Sequence, residues 1–355
     1  MKIILPSLLI GLFSASFALA QQPVSPDAAP ATRAGAPAGN TASAGGNNPG
    51  FQLPTDPSTP VQAEPANGGE LLMRRVHDLL TATNSISARV RYRVDLFGHQ
   101  LVGEGIYLQQ GAAERQQGAS EKQLSRLELK TLVGQHVEVL QMVGDGKYLW
   151  QYQDSGVPPT DPTAKPQVAR IDLARVRLAL HHPQAFHGRM LTADLALAGL
   201  ERLIEGLGAT FHFERIEAGQ LDTLPVWIAT GTWRSEMLMS VSKDLADQAA
   251  SGQPLDLKKL PPQMPEEVQL FVGQEDMFPY RIEYRRRPTK QGRGEALGEM
   301  APMLIVEFYE VRLNEPIGAQ NFVYQPGNAE IADATANFIK SIGVRTPNDK
   351  EKDTK

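Results

Sequence analysis

From Ser85 to Leu96 the chain alternates without a break, Ile86, Ala88, Val90, Tyr92 and Val94 against Ser87, Arg89, Arg91, Arg93 and Asp95. A period of two turns the first set to one face of a strand and leaves the second, a basic row, in water. The habit returns in 101–109 through Val102, Ile106 and Leu108, and again from Leu124 through Leu127 and Leu129. It is strongest in His136–Tyr152. There Val137, Val139, Met142 and Val143 precede the turn Gly144-Asp145-Gly146, and Tyr148, Leu149, Trp150 and Tyr152 follow it in bulky β-formers. Further extended segments are predicted at 210–217, 225–233, 267–273, 280–287, 303–313 and 321–324. Counting the hairpin as two, about eleven strands result.

Helical spacing interrupts this pattern. Leu72, Val76, Leu79 and Leu80 recur along 70–82, Val176, Leu178 and Leu180 along 171–180, and Leu195, Leu197, Leu200, Leu203 and Ile204 form a broad stripe along 192–206. Pro183 ends the second of these, and Thr192 is the N-cap expected for the third. Shorter helices are expected near 242–250 and over 329–342. The four prolines of 154–166 mark an excursion at the sheet edge, and the stretch 237–265 reads as an inserted crossing segment. A large sheet with helices over one apolar face follows from the pattern alone.

Composition adds an address. Lys2, an apolar run from Ile3 to Leu19, and Ala18 with Ala20 have the form of an export signal over residues 1–20. Residues 21–67 are rich in Pro, Ala, Gly, Ser, Thr, Asn and Gln and cannot offset their ordering entropy, which predicts a disordered leader. Residues 68–347 are then one folded domain and 348–355 a flexible polar tail. The chain has no Cys, so neither a disulfide nor a lipid-bearing N-terminal cysteine is available. A soluble protein of the periplasm is expected, with secretion as the alternative. The formal net charge of -5 gives no reason to expect nucleic acid.

Candidate chemistry is sparse. His181, His182 and His187, with Asp194 downstream, lack a completing carboxylate or cysteine cluster, so no metal site is assigned. Ser235, Glu236, Asp222 and His212 carry no spacing known to build a triad, and neither G-x-S-x-G, H-E-x-x-H nor a phosphate-binding glycine loop occurs. No catalytic residue and no cofactor is assigned.

Three stretches carry a resemblance. A helix at 71–80 runs directly into a long strand; G-D-G-K-Y-L-W-Q-Y stands at 144–152; V-E-F-Y-E-V-R-L-N-E-P-I at 306–317 is followed by N-F-V-Y-Q-P at 321–326. Together they resemble the LolA-like periplasmic lipoprotein carriers and outer-membrane lipoprotein-sorting proteins, over most of 70–326. The resemblance implies an α+β, mainly β fold: a strongly curved antiparallel half-barrel whose concave apolar face is covered or plugged by helices. It implies noncatalytic carriage of lipid or lipoprotein acyl groups by a monomer, with lipid or lipidated protein as partner and envelope membrane proteins as further candidates. The excursion at 154–166 and the 237–265 insertion depart from that pattern.

Tyr92, Val94, Ile106, Leu108, Val139, Leu149, Phe211, Ile228, Ile282 and Phe308 are the candidate inner-face, ligand-binding residues. Trp150 faces away from Leu149, to anchor a helix or sit at the rim, and Arg91 and Arg93 are either a solvated row or a site for an anionic headgroup. Two other readings stand beside carriage: an exported structural or protein-interaction scaffold whose sheet is fully packed, and an envelope hydrolase.

Overall fold

A computed structural model describes residues 68–96, 99–111, 123–133, 135–156, 166–180, 191–241, 243–253, 255–288 and 299–341. The expected export signal, leader and tail, the histidines at 181, 182 and 187, and most of the proline excursion lie outside them.

Twelve strands form one sheet. Strands β1 (Ser85–Leu96), β2 (His99–Gln110), β3 (Leu124–Val133), β4 (His136–Gly144), β5 (Tyr148–Asp154) and β6 (Gln167–Asp172) make a meander running to one edge. Helices α1 (Gly68–Ala82), α2 (Leu173–Leu180) and α3 (Leu191–Thr210) belong to the layer over the sheet, α2 and α3 leading the chain to the opposite edge. From there β7 (Phe211–Leu221), β8 (Leu224–Trp233), β9 (Glu267–Gly273), β10 (Pro279–Arg286) and β11 (Ala301–Leu313) meander back until β11 pairs with β1 at the centre. Between β8 and β9 lie α4 (Ser235–Val241) and α5 (Lys243–Ala250). After β11 the chain passes through a 3-10 turn at Ala319–Phe322, adds β12 (Ile331–Asp333) parallel to β6, and ends the described fold in α6 (Thr335–Ser341).

This corrects the expected architecture. The sheet is open, with order β12-β6-β5-β4-β3-β2-β1-β11-β10-β9-β8-β7, and it is neither closed nor strongly curled into a half-barrel. Ten strands separate its edges. The apolar face is buried by two successive helical covers, α1 with α3 and α4–α5 with the chain through Leu260 and Met264, so the sheet has no need to wrap around it. The strand count rises from eleven to twelve for local reasons. Gln167–Asp172 is a strand between the prolines and α2, Ile331–Asp333 takes the start of the expected last helix, and Asn321–Tyr324 carries the 3-10 turn and extended chain in place of a strand.

Register fixes the two faces. Val90, Tyr92 and Val94 of β1 stand opposite Phe308, Val306 and Leu304 of β11, and these continue to Ile282 and Tyr284 of β10 and Leu270 and Val268 of β9. All belong to one core with Leu72, Val76 and Leu80 of α1 and Leu195, Leu200, Leu203 and Ile204 of α3. The opposite face is polar beside the centre and aromatic toward β5.

Candidate functional site

The helix-covered face holds Tyr92, Val94, Leu149, Phe211, Ile282 and Phe308, each at most 3% exposed. Ile106, Leu108, Val139 and Ile228 are half-buried on the other face. Glycine explains three of these placements. In β2 the inward positions are Leu101, Gly103, Gly105, Tyr107 and Gln109, and a Cβ on Gly103 would lie 2.3 Å from the Tyr92 ring. Room for Tyr92 is made by a missing side chain, and Ile106 and Leu108 therefore point away. In β8 the inward positions are Ala229, Gly231 and Trp233, where a Cβ on Gly231 would meet the Phe213 ring at 2.8 Å, and Ile228 goes outward with its parity. In β4 the inward pair is Leu140 and Met142, which sets Val139 outward.

Three residues absent from the sequence reading control the cover. Helix α3 is broken at Gly199, whose φ of 78° and ψ of -174° lie outside helical space. In an unbroken helix the Leu200 amide would donate to the Ala196 carbonyl. Here the Leu200 amide donates to Gln109 Oε1 at 3.0 Å, and the Ala196 carbonyl accepts from the Ser125 hydroxyl. Gln109 and Ser125 are opposite each other on β2 and β3, so two neighbouring strands divide one helix hydrogen bond between them. The Tyr107 hydroxyl also donates to Gln109 Oε1, at 2.6 Å, and complete burial pushes its phenol well above the ordinary value. Gly199 is required twice, by its positive φ and by space, since a Cβ there would fall 2.1 Å from Gln123 Nε2 and 2.3 Å from Gln109 Oε1. Around this polar point the contact is apolar, with Leu195, Leu200, Leu203 and Leu207 in the same core as Leu127, Leu129, Met142 and Leu149. A glycine inside an apolar helical stripe, and polar residues at inward strand positions, are the signals that could have marked it.

On the far face Arg91 pairs with Glu307, Arg281 reaches Glu307 at 2.9 Å and Glu283 at 3.6 Å, and Arg285 lies 3.8 Å from Glu283 and 3.7 Å from Glu267. Burial raises the Glu283 pKa, and Arg281, Arg285 and Arg93 pull the other way. Of the basic row in β1, Arg91 is matched by Glu307 one strand over, Arg93 acts on the charge of Glu283, and Arg89 lies over the Tyr309 ring at 5.9 Å. Trp150 stacks on Tyr324 with ring centroids 5.6 Å apart and donates to Asp145 Oδ2 at 3.0 Å, anchoring the segment after β11 to the outside of the sheet.

His212 lies 2.6 Å from Glu70 and 3.2 Å from Glu214, and Glu70 also accepts from Arg234 at 2.9 Å. This ties α1 to β7 and does not bring His212 together with Ser235 or Asp222. Among the described residues no group of three His, Asp or Glu side chains is placed to hold a metal.

No family profile and no curated protein sequence matches the chain. Solved structures do. A DUF1329 family protein from Desulfovibrio piger is 10% identical over 74% of this chain and 98% of its own, with a TM-score of 0.31. A LolA superfamily protein from Nitrosomonas europaea is 13% identical over 72% and 97%, with a TM-score of 0.26. MucB is 11% identical over 72% of this chain and 62% of its own, at 0.34. The likeness is distant.

Proposed function

We propose that the chain binds acyl groups of lipids or lipidated proteins between its sheet and α3, without chemical change to them, in the periplasm. One observation carries the reading: α3 is fastened at its kink by two side-chain bonds that replace one of its own. When α3 lifts, the Leu200 amide and the Ala196 carbonyl regain each other, because Gly199 takes up helical angles without steric cost. Part of what is lost at the sheet is thereby recovered within the helix. The surface uncovered by that movement, Leu127, Leu129, Met142 and Leu149, is apolar and unstable in water until something apolar covers it. Each acyl methylene placed there contributes roughly 0.8 kcal/mol, so a chain of ordinary length binds firmly without any polar motif.

A second reading has its own support. The six candidate residues on the covered face are already buried by the protein itself, as in a scaffold whose sheet serves only to hold surfaces elsewhere. Native mass spectrometry of the chain purified gently from its own envelope compartment, followed by organic extraction, separates the two. A lipid or acylated peptide at fixed stoichiometry is the result expected. A clean apoprotein that also refuses added lipid would overturn acyl binding and leave the scaffold.

A further inference from the structure

The two edges of the sheet end differently. At one, β6 is covered by the three-residue parallel strand β12. At the other, β7 is eleven residues long, and among the described residues its backbone pairs in the sheet with β8 alone. An open edge of this length exposes a row of amides and carbonyls ready to pair with another strand.

Among the described residues, only part of that edge is free. The first turn of α1 lies against its start, where a Cβ on Gly69 would fall 2.3 Å from the Phe213 carbonyl oxygen, and Glu70 meets His212. The register with β8 slips between Phe213 and Arg215 and is regular from Arg215 to Leu221. In the part beyond α1, Glu214, Arg215, Glu217 and Ala218 are exposed and Ile216 is half-buried. Neither Arg215 nor Glu217 has an ion pair among the described residues.

The geometry points to a second copy of this chain as the occupant, paired antiparallel through β7 about a two-fold axis at Ile216. That register sets Arg215 opposite the Glu217 of the other copy, and Glu217 opposite its Arg215, on one face. Ile216 meets its own counterpart on the other. Two reciprocal ion pairs thus arise from one strand read in opposite directions, as a self-complementary contact requires. Side chains keep to their own faces only when the register moves by two residues, and the two nearest such registers would place Arg215 against Arg215 or Glu217 against Glu217, like-charge contacts that disfavour both. The contact uses about five residues a side and belongs at the low end of specific interfaces, below roughly 1,200 Å², so the pair forms in a concentration-dependent way. A monomer is what the sequence alone suggests; the open edge argues for the pair, independently of acyl binding.

Charge exchange tests this on the whole chain by sedimentation equilibrium over a concentration series. The native chain is expected to pass from one to two copies as concentration rises. R215E and E217R should each lose the dimer, and an equimolar mixture of the two should regain it, since each then faces its complement. Both positions are exposed, so circular dichroism should show the native fold in both. Because the chain has no cysteine, I216C should give a disulfide-linked dimer on mild oxidation, and A218C should give much less. The proposal is overturned by a native chain that stays monomeric throughout, by single variants that dimerise as the native chain does, or by A218C cross-linking in preference to I216C.

Discussion

The Leu200 amide donates to Gln109 Oε1 at 3.0 Å, ninety-one positions away in sequence, across the interface between α3 and the sheet. Its ordinary helical acceptor, Ala196, is engaged by Ser125. Gln109 is only 1% exposed, so this bond has no competition from water. Replacing Gln109 by Leu leaves the Leu200 amide buried and unsatisfied in the kinked form, a cost of about 1–3 kcal/mol. The expected outcome is a lower thermal midpoint together with faster amide exchange in α3 than in β1. Equal acceleration in both elements would show that Gln109 supports the fold as a whole and does not fasten α3 in particular.

Gly199→Ala is expected to cost more than a helix-favouring substitution normally gains. Alanine is strained at φ 78°, and its Cβ would collide with the amide groups of Gln109 and Gln123. A loss of about 1–3 kcal/mol in denaturant unfolding is predicted. If α3 instead straightens and leaves the sheet, the same variant should bind an apolar fluorescent probe that the native chain excludes.

The core and the outer face should respond differently to truncation. Phe308 is 1% exposed and meets Tyr107 and Phe278 edge-on, with centroids 6.0 and 6.1 Å away. Phe308→Ala should destabilise by about 3–5 kcal/mol. Leu132, 59% exposed on the opposite face, should tolerate Ser within about 0.5 kcal/mol. Chemical denaturation of both variants checks the assignment of faces.

Glu283 sets a pH dependence whose sign follows from its burial. Its folded pKa lies above the ordinary 4.5, chiefly through desolvation, so over the interval between the two values the folded chain holds a proton that the unfolded chain has released. The contribution of this group is fully present below 4.5 and is lost as pH rises through the folded value. Glu283→Gln cannot titrate. The unfolding free energy of the variant minus that of the native chain should therefore increase as pH rises across that window, the variant becoming the more stable of the two by comparison. A difference that is flat with pH, or falls, would mean that the neighbouring arginines and not burial govern the group.

Tyr324 holds the segment after β11 against the sheet by stacking on Trp150. Tyr324→Ala should cost about 0.5–1.5 kcal/mol beyond the lost area and expose Trp150, read as a red shift in its emission. Tyr324→Phe keeps the ring and should leave the emission near its native position.

Much of the fold is legible in local pattern. The alternation of Ile86 to Val94 specifies both the strand and the face it buries, because side-chain direction in a strand depends only on parity. The hairpin at 136–152 is equally local: the Asp145 carboxylate accepts from the amides of Lys147 and Tyr148, and Gly146 supplies a φ of 86°. The apolar stripe of α3 and the change from strand to helical period likewise need no distant partner. These features depend on residues a few positions apart, and the sequence alone determines them.

Where a strand carries glycine at inward positions or apolar residues on both parities, as in β2, β4 and β8, its own pattern does not say which face meets the helices. Gly103 and Gly231 carry no apolar side chain, yet each marks the buried face, because the large residue filling the space, Tyr92 or Phe213, comes from a neighbouring strand. Whether the sheet curls or stays open depends on how the two meanders join and how two helical covers share its area, both long-range matters. The fastening of α3 is of the same kind: Gln109 and Ser125 become its partners only when β2 and β3 are in register beneath Gly199. Sequence determined the elements and their amphipathic character; tertiary structure decided which face is covered, that the sheet remains open, and where the cover is held, since each is set by side chains and backbone groups brought together from distant parts of the chain.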